Sequence, residues 1–188
     1  DWNVVHFKGK KLAVTICEDI WNMGDNPLYR ITPMEKLMPF QPDVMINLSA
    51  SPYNYAQDIV RNSLIRAHTL KYKLPMIYCN AVGSQTEIVF DGGSLVYDRN
   101  GNKIKELHYF EEDHQVVELE ELLRPSAAPP ADEPVFFSAR EVGTGEDVIR
   151  YLTNEKNMEE IRQALVLGIR DYFQKMGFSK AILGASGG

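Results

Sequence analysis

Apolar and polar positions change period several times along this chain, and each change predicts an element. Leu12, Val14 and Ile16 alternate with Ala13, Thr15 and Cys17, the period of two expected of a strand, and the β-branched residues among them suit a pleated surface. VVHFKGKKLAVTIC as a whole predicts two strands about a turn at Lys8-Gly9-Lys10, where Gly9 can take a positive φ. Pro27–Phe40 mixes apolar and charged residues between prolines and predicts one short helix. Val44–Leu48 reads as a buried strand running into Ser49, Ala50, Ser51 and Pro52. Between Tyr55 and Lys73, Ile59, Val60, Leu64, Ala67 and Leu70 recur at helical spacing, with Arg61, Arg66, His68 and Lys71 mostly opposite. This predicts a surface helix on a sheet, with His68 solvated or half-buried.

PMIYCNAV predicts the next strand, with Cys79 as core filler. A hairpin is expected after it: Glu87–Phe90, a tight Asp91-Gly92-Gly93 turn or bulge, Ser94–Tyr97, then Asn100-Gly101 leading to Lys103–Leu107. His114–Glu121 reads as a last strand of the layer. Residues 124–134, rich in Pro and Ala, read as a linker. Val135-Phe136-Phe137 follows as an apolar patch expected to dock on a neighbouring surface. Met158–Met176 carries Ile161, Leu165, Ile169, Tyr172, Phe173 and Met176 on one helical stripe, and Gly177 is placed as a C-cap glycine. Lys180–Leu183 then begins a strand that runs into Gly184, Ala185, Ser186, Gly187 and Gly188. The expected divisions are 1–123 for the first domain, 124–134 for the linker, 135–157 for the docking segment and 158–188 for the start of a second domain.

Composition narrows the function classes. With 188 residues and 44% hydrophobic positions, the chain has enough apolar material for a packed core. A net charge of −6, with no basic block interleaved with aromatics, argues against a nucleic-acid face. The longest apolar runs fall far short of the roughly 20 residues that span a bilayer, and DWNVVHFKGK lacks the apolar centre of a signal peptide. Two cysteines without metal-ligand spacing and four scattered histidines predict no metal site and no disulfide framework. A reducing, cytoplasmic setting is the expectation.

Cys17 is the candidate for chemistry. It closes its strand just before Glu18, Asp19 and Trp21. A thiol at a strand end can face a substrate while the following backbone N–H groups point to where an oxyanion develops. Thiolate is also the side chain that attacks an amide carbonyl with least assistance. The competing reading is a cysteine buried as a small apolar filler.

TICEDIW (15–21), INLSASPY (46–53) and LPMIYCNAVGSQTEIVFDGGSLVYDRNG (74–101) resemble the second half of a nitrilase-superfamily amidase domain. More closely, they resemble the glutaminase domain of the glutamine-dependent NAD⁺ synthetases. KAILGASGG (180–188) resembles the opening of the pyrophosphate loop in the ATP-dependent domain of the same family. The resemblance implies an α/β fold: part of an α-β-β-α sandwich, followed by the first helix and strand of an α/β ATP-pyrophosphatase domain.

In function it implies that Cys17 attacks the side-chain amide of L-glutamine, releasing ammonia that converts deamido-NAD⁺ to NAD⁺ at the expense of ATP. Ser51 is implied as a glutamine contact, against an ordinary role as a turn serine before proline. At position 57 the family usually carries a cation that would pair with a carboxylate, and this chain has Gln57. Gln57 is therefore either a neutral ligand to the amino-acid head or, with Asn54, one half of a capping box. Glu87 and Asp91 are candidate supporting acids near the pocket, against turn or surface duty.

Gly184, Ala185, Ser186, Gly187 and Gly188 are implied as ATP contacts, with Mg²⁺ accompanying ATP in the second domain and neither bound by this chain alone. A homo-oligomer without nucleic-acid or membrane partners is implied as well. Two further triad members, a glutamate base and a lysine, are expected upstream of the cysteine, and neither motif lies in these residues. Lys11 shares the strand parity of Cys17 but sits six residues away, roughly 20 Å along a strand. The rival readings are a stand-alone nitrilase-type amidase and an inert fragment or interaction module.

Overall fold

A computed structural model of the chain describes residues 2–23, 29–124, 126–127, 149 and 153–185. Strands β1 (Val5–Phe7), β2 (Lys10–Ile16), β3 (Val44–Ser49), β4 (Met76–Asn80), β7 (Leu95–Tyr97) and β8 (Lys103–Glu106) form one sheet in the order β1-β2-β3-β4-β7-β8. β2, β3 and β4 run parallel, and the remaining pairs are antiparallel. A parallel pair needs a crossover, supplied by α1 (Pro33–Leu37) between β2 and β3 and by α2 (Gln57–Tyr72) between β3 and β4. β5 (Val82–Gln85) and β6 (Ile88–Asp91) form a separate two-stranded sheet. α3 (Leu119–Leu123), α4 (Glu155–Met176) and the 3₁₀ turns Cys17–Ile20 and Met38–Phe40 complete the described elements.

The sheet is an α/β assembly whose core lies under the helices. Ala13, Met45, Met76 and Tyr97 stand in one cross-strand row, and with Tyr78 and Leu95 they pack against Leu64 and Ile65 of α2 and Met34 and Leu37 of α1. The opposite rows, Val14-Ile46-Ile77-Val96 and Ile16-Leu48-Cys79, point away from those helices. Ile16 and Leu48 are there 56% and 48% exposed.

The β1–β2 turn, the short helix after Pro33, strand β3 and the Gly177 cap at φ 68° follow the sequence pattern. Several expectations are corrected. His114–Glu121 is no strand: Val116 is 81% exposed with nothing to pair against, and Leu119–Leu123 is helical, anchored by buried Leu122. β6 pairs with β5 rather than with β7, because the chain passes from one sheet to the other at Gly92 and Gly93, both at positive φ. A Cβ at Gly93 would fall on the Tyr109 ring, so this crossing requires glycine.

Cys79 is exposed, not core, because its β4 position faces the side without helices. His68, Arg61 and Arg66 are buried, since α2 turns their side into the interior. α4 buries Ala164 and Leu167 against Val82, Val89, Phe110 and Tyr109, which leaves Leu165, Ile169, Tyr172 and Met176 of the predicted stripe exposed. Asp171 accepts the Ser84 N–H at 2.8 Å and Lys175 donates to the Ser84 carbonyl, fixing α4 on β5. Lys180–Leu183 forms no strand, and Ile182 and Leu183 are exposed, because no described strand runs beside them.

The β7–β8 turn is built around Asp98, which accepts from the N–H groups of Asn100 and Asn102 and from the Asn102 amide and Ser126 hydroxyl. Of the expected linker, Arg124, Ser126 and Ala127 are described, and the remainder of 124–134 lies outside the described residues together with Val135-Phe136-Phe137.

Candidate functional site

Cys17 directly follows β2 at a backbone φ of 45°, the left-handed region, and opens a four-residue 3₁₀ turn, Cys17–Ile20. A left-handed residue between an extended strand and a helical turn swings its side chain out of the sheet's alternation, and the thiol is half-exposed. Its surroundings hold that bend in place. The Asp19 carboxylate accepts the Ile16 N–H at 2.8 Å. Asn47, fully buried on β3, donates to the Thr15 hydroxyl at 3.0 Å and to the Cys17 carbonyl at 3.4 Å. At the far end of the turn, the Ile20 carbonyl lies 2.7 Å from His68 Nε2, which must carry the proton there. Burial, with a smaller push from the Lys71 charge, lowers the His68 pKa to about 4, so the imidazole holds this turn in its neutral form.

A cavity of about 280 Å³ opens at the thiol, lined by Cys17, Glu18, Trp21, Tyr29, Ser51, Pro52 and Gln57. Three residues singled out in the sequence, Cys17, Ser51 and Gln57, thus meet in one place from three separate segments. The Asn54–Gln57 capping box does not form. Ala56 takes a left-handed φ of 56° as the N-cap, so α2 begins at Gln57 itself, and the Gln57 side chain lines the cavity.

Tyr29 donates its hydroxyl to the Glu18 carboxylate at 2.5 Å. That hydrogen bond, then the carboxylate charge, raises the Tyr29 pKa. A second hollow of about 440 Å³ shares Glu18 and Tyr29 with the first. Glu18 and Trp21 lay inside the TICEDIW motif without an assigned role, and Tyr29 had no sequence signal. Asn47 had one, as a polar residue inside an apolar strand.

The other candidates fall elsewhere. Glu87 is an exposed turn residue, whereas Asp91 is buried in an ion pair with Arg61. Lys11 donates to the Phe40 carbonyl at 3.0 Å, from the opposite end of β2. Of the implied ATP contacts only Gly184 and Ala185 are described, and Ser186, Gly187 and Gly188 lie outside the described residues. A Cβ on Gly184 would meet nothing within 4 Å. Among the described residues no group of three His, Cys, Asp or Glu side chains could hold a metal ion, and no helix is long and apolar enough to cross a membrane.

No protein-family model matches the chain. Among curated proteins it is 35% identical to the glutamine-dependent NAD⁺ synthetase of Synechocystis, over 97% of this chain and 30% of that protein. It is 36% identical to the enzyme of the same name from Thermotoga maritima, over 98% of this chain and 33% of that protein. The solved glutamine-dependent NAD⁺ synthetase of Acinetobacter baumannii, in complex with ADP, superposes with a TM-score of 0.65 at 27% identity, covering 93% of this chain and 28% of that one. A carbon-nitrogen hydrolase from Helicobacter pylori shares the fold, with a TM-score of 0.51 at 20% identity over 64% of this chain and 44% of that one. In sequence and in fold the chain is thus similar to the glutamine-dependent NAD⁺ synthetases, of whose length it spans about a third.

Proposed function

We propose that residues 1–123 supply the thiol side of a glutamine amidohydrolase site, and that residues 158–188 belong to the ATP-dependent part of a glutamine-dependent NAD⁺ synthetase. The observation that carries this is the thiol of Cys17, presented on a left-handed backbone at a strand end into a cavity it shares with Ser51 and Gln57.

In this reading the thiolate attacks the side-chain amide carbon of L-glutamine and the carbonyl oxygen takes the negative charge. The tetrahedral intermediate collapses with loss of ammonia as the C–N bond breaks, and water then cleaves the glutamyl thioester. The backbone N–H groups that open the 3₁₀ turn have no partner within it by its hydrogen-bond geometry, so they are placed to meet the oxyanion. Ser51 and Gln57 hold the amino-acid head, Gln57 as a neutral donor to the carboxylate, without the charge assistance a cation would add.

Glu18 is the acid among the cavity's lining residues, and its carboxylate is engaged by Tyr29. The general base and the steadying lysine are therefore assigned outside the described residues. Ammonia released at Cys17 serves the conversion of deamido-NAD⁺ to NAD⁺ in the complete enzyme, a cytoplasmic homo-oligomer using ATP and Mg²⁺. No step of that second reaction is assigned to the described residues.

The test is covalent labelling of the complete gene product with an electrophilic glutamine analogue, followed by peptide mass mapping. Label on Cys17 with loss of glutamine hydrolysis, and a fall of at least about a thousandfold in hydrolysis for Cys17→Ser, supports the reading. A Cys17→Ser protein that still hydrolyses glutamine defeats it.

A further inference from the structure

Two full charges lie inside the chain beyond the reach of solvent. Arg61 on α2 and Asp91 at the end of β6 are 1% and 2% exposed. They meet side-on: Nη1 donates to Oδ1 at 2.8 Å, and Nη2 donates to Oδ2. Burial alone would pull the guanidinium pKa down, but the hydrogen bonds and charge of Asp91 outweigh it and the net shift is upward. As a source of stability such a pair is inefficient, because apolar residues of the same volume often serve as well or better. What distinguishes this pair is where its hydrogen bonds lead.

Asp91 Oδ1 also accepts from Asn80 Nδ2 at 3.4 Å, and the same nitrogen donates to the carbonyls of Gly92 at 2.8 Å and Ser51 at 3.4 Å. With three acceptors gathered round its nitrogen, the Asn80 amide has one orientation, and its oxygen accepts the Ser51 N–H at 2.9 Å. The neighbouring residues are tied to β6 as well: Tyr53 N–H donates to the Val89 carbonyl at 2.8 Å, and Pro52 bridges to Phe90. Ser51 and Pro52 are the residues of this segment that face the Cys17 cavity.

We propose that Arg61, acting through Asp91 and Asn80, is a positioning residue that sets Ser51 against Cys17, so that this relay governs how tightly the amide substrate is held rather than how fast it reacts. The inference rests on the glutaminase reading above. Asp91 is one of the three acceptors that hold the Asn80 amide, and Arg61 keeps its carboxylate in place. Without the pair the amide keeps only the Gly92 and Ser51 carbonyls, and its grip on the Ser51 N–H loosens.

Steady-state glutamine hydrolysis by the complete gene product tests the relay in Asn80→Ala, in the double variant Arg61→Met/Asp91→Leu, and in Arg61→Lys. The double variant removes both charges at once and so leaves neither buried alone. Asn80→Ala and the double variant should raise KM for glutamine about tenfold, the worth of one well-aligned hydrogen bond, with kcat within about twofold. Arg61→Lys, which keeps a cation on Asp91, should lie between them and the wild type. Alkylation of Cys17 by a small electrophile lacking the amino-acid head should proceed at the wild-type rate in all three.

A wild-type KM in a folded double variant overturns the relay, as does a loss of activity that tracks melting temperature across the set with KM unmoved. If the double variant fails to fold, Asn80→Ala and Arg61→Lys decide the matter between them. A wild-type protein that hydrolyses no glutamine defeats the glutaminase reading and the relay with it, whereas hydrolysis with unshifted KM in the variants defeats the relay alone.

Discussion

The two faces of the six-stranded sheet are built from similar residues and meet different surroundings. On one face Ala13, Met45, Met76, Tyr78, Leu95 and Tyr97 lie under α1 and α2 and are almost wholly buried. On the other, Ile16, Leu48 and Cys79 stand in one row and are exposed. Both sets are apolar, so hydrophobicity alone does not tell them apart; what differs is whether a crossover helix returns over that side. An apolar row left open across three central strands is the kind of surface that monomeric proteins seldom leave uncovered, and it agrees with a sandwich in which a second sheet packs there.

Substitutions can sharpen that contrast. Met45→Ala on the covered face should cost about 2–5 kcal/mol, the usual range for emptying a core site, measured by urea unfolding. A cost below about 1 kcal/mol would show that α2 does not pack there as described.

Acidification should produce the next largest effect, through His68. Its folded pKa, about 4, lies below the ordinary 6.5, so the folded state resists protonation. The stability this residue permits is complete above about pH 6.5. It is lost as pH falls toward 4, by roughly 3 kcal/mol in all. His68→Gln keeps a donor for the Ile20 carbonyl and cannot titrate, so its melting temperature should change less with pH across that window than the wild type's.

Leu48→Ala on the open face should cost less than about 1 kcal/mol in this chain, where about half of the side chain already meets water. A cost in the complete gene product approaching that of Met45→Ala would show that a further layer covers this face. Alkylation of Cys79 gives the smallest and most local readout: fast in the chain by itself, and slowed in the complete protein if the same layer is present.

How far the sequence exposes this arrangement differs from residue to residue. Strand β2 and the placement of Cys17 at its end are legible, because alternation and the break into Glu18-Asp19 are both local. The burial of Arg61 and His68 is not, because helical periodicity equates charge with solvent. The partners that reverse this, Asp91 and the Ile20 carbonyl, are supplied by segments 30 and 48 residues away. Gln57 matched a capping box by spacing, yet the left-handed turn at Ala56 moved the helix start and freed its side chain for the cavity. On α4 the longest apolar stripe is legible, but the side that packs carries Ala164, Leu167 and Gly168, where the two small residues let the helix approach β5 and β6 closely.

The left-handed backbone at Cys17 has a consequence for evolution as well as for chemistry. A side chain at φ 45° crowds its own peptide group, an expense of roughly 1–2 kcal/mol that glycine escapes. A Cys17→Gly descendant would give up the thiol and relax at the same stroke, so drift toward an inert but sturdier protein lies one substitution away. Persistence of cysteine at this bend across related genes would then be a signature of selection for reactivity and against comfort.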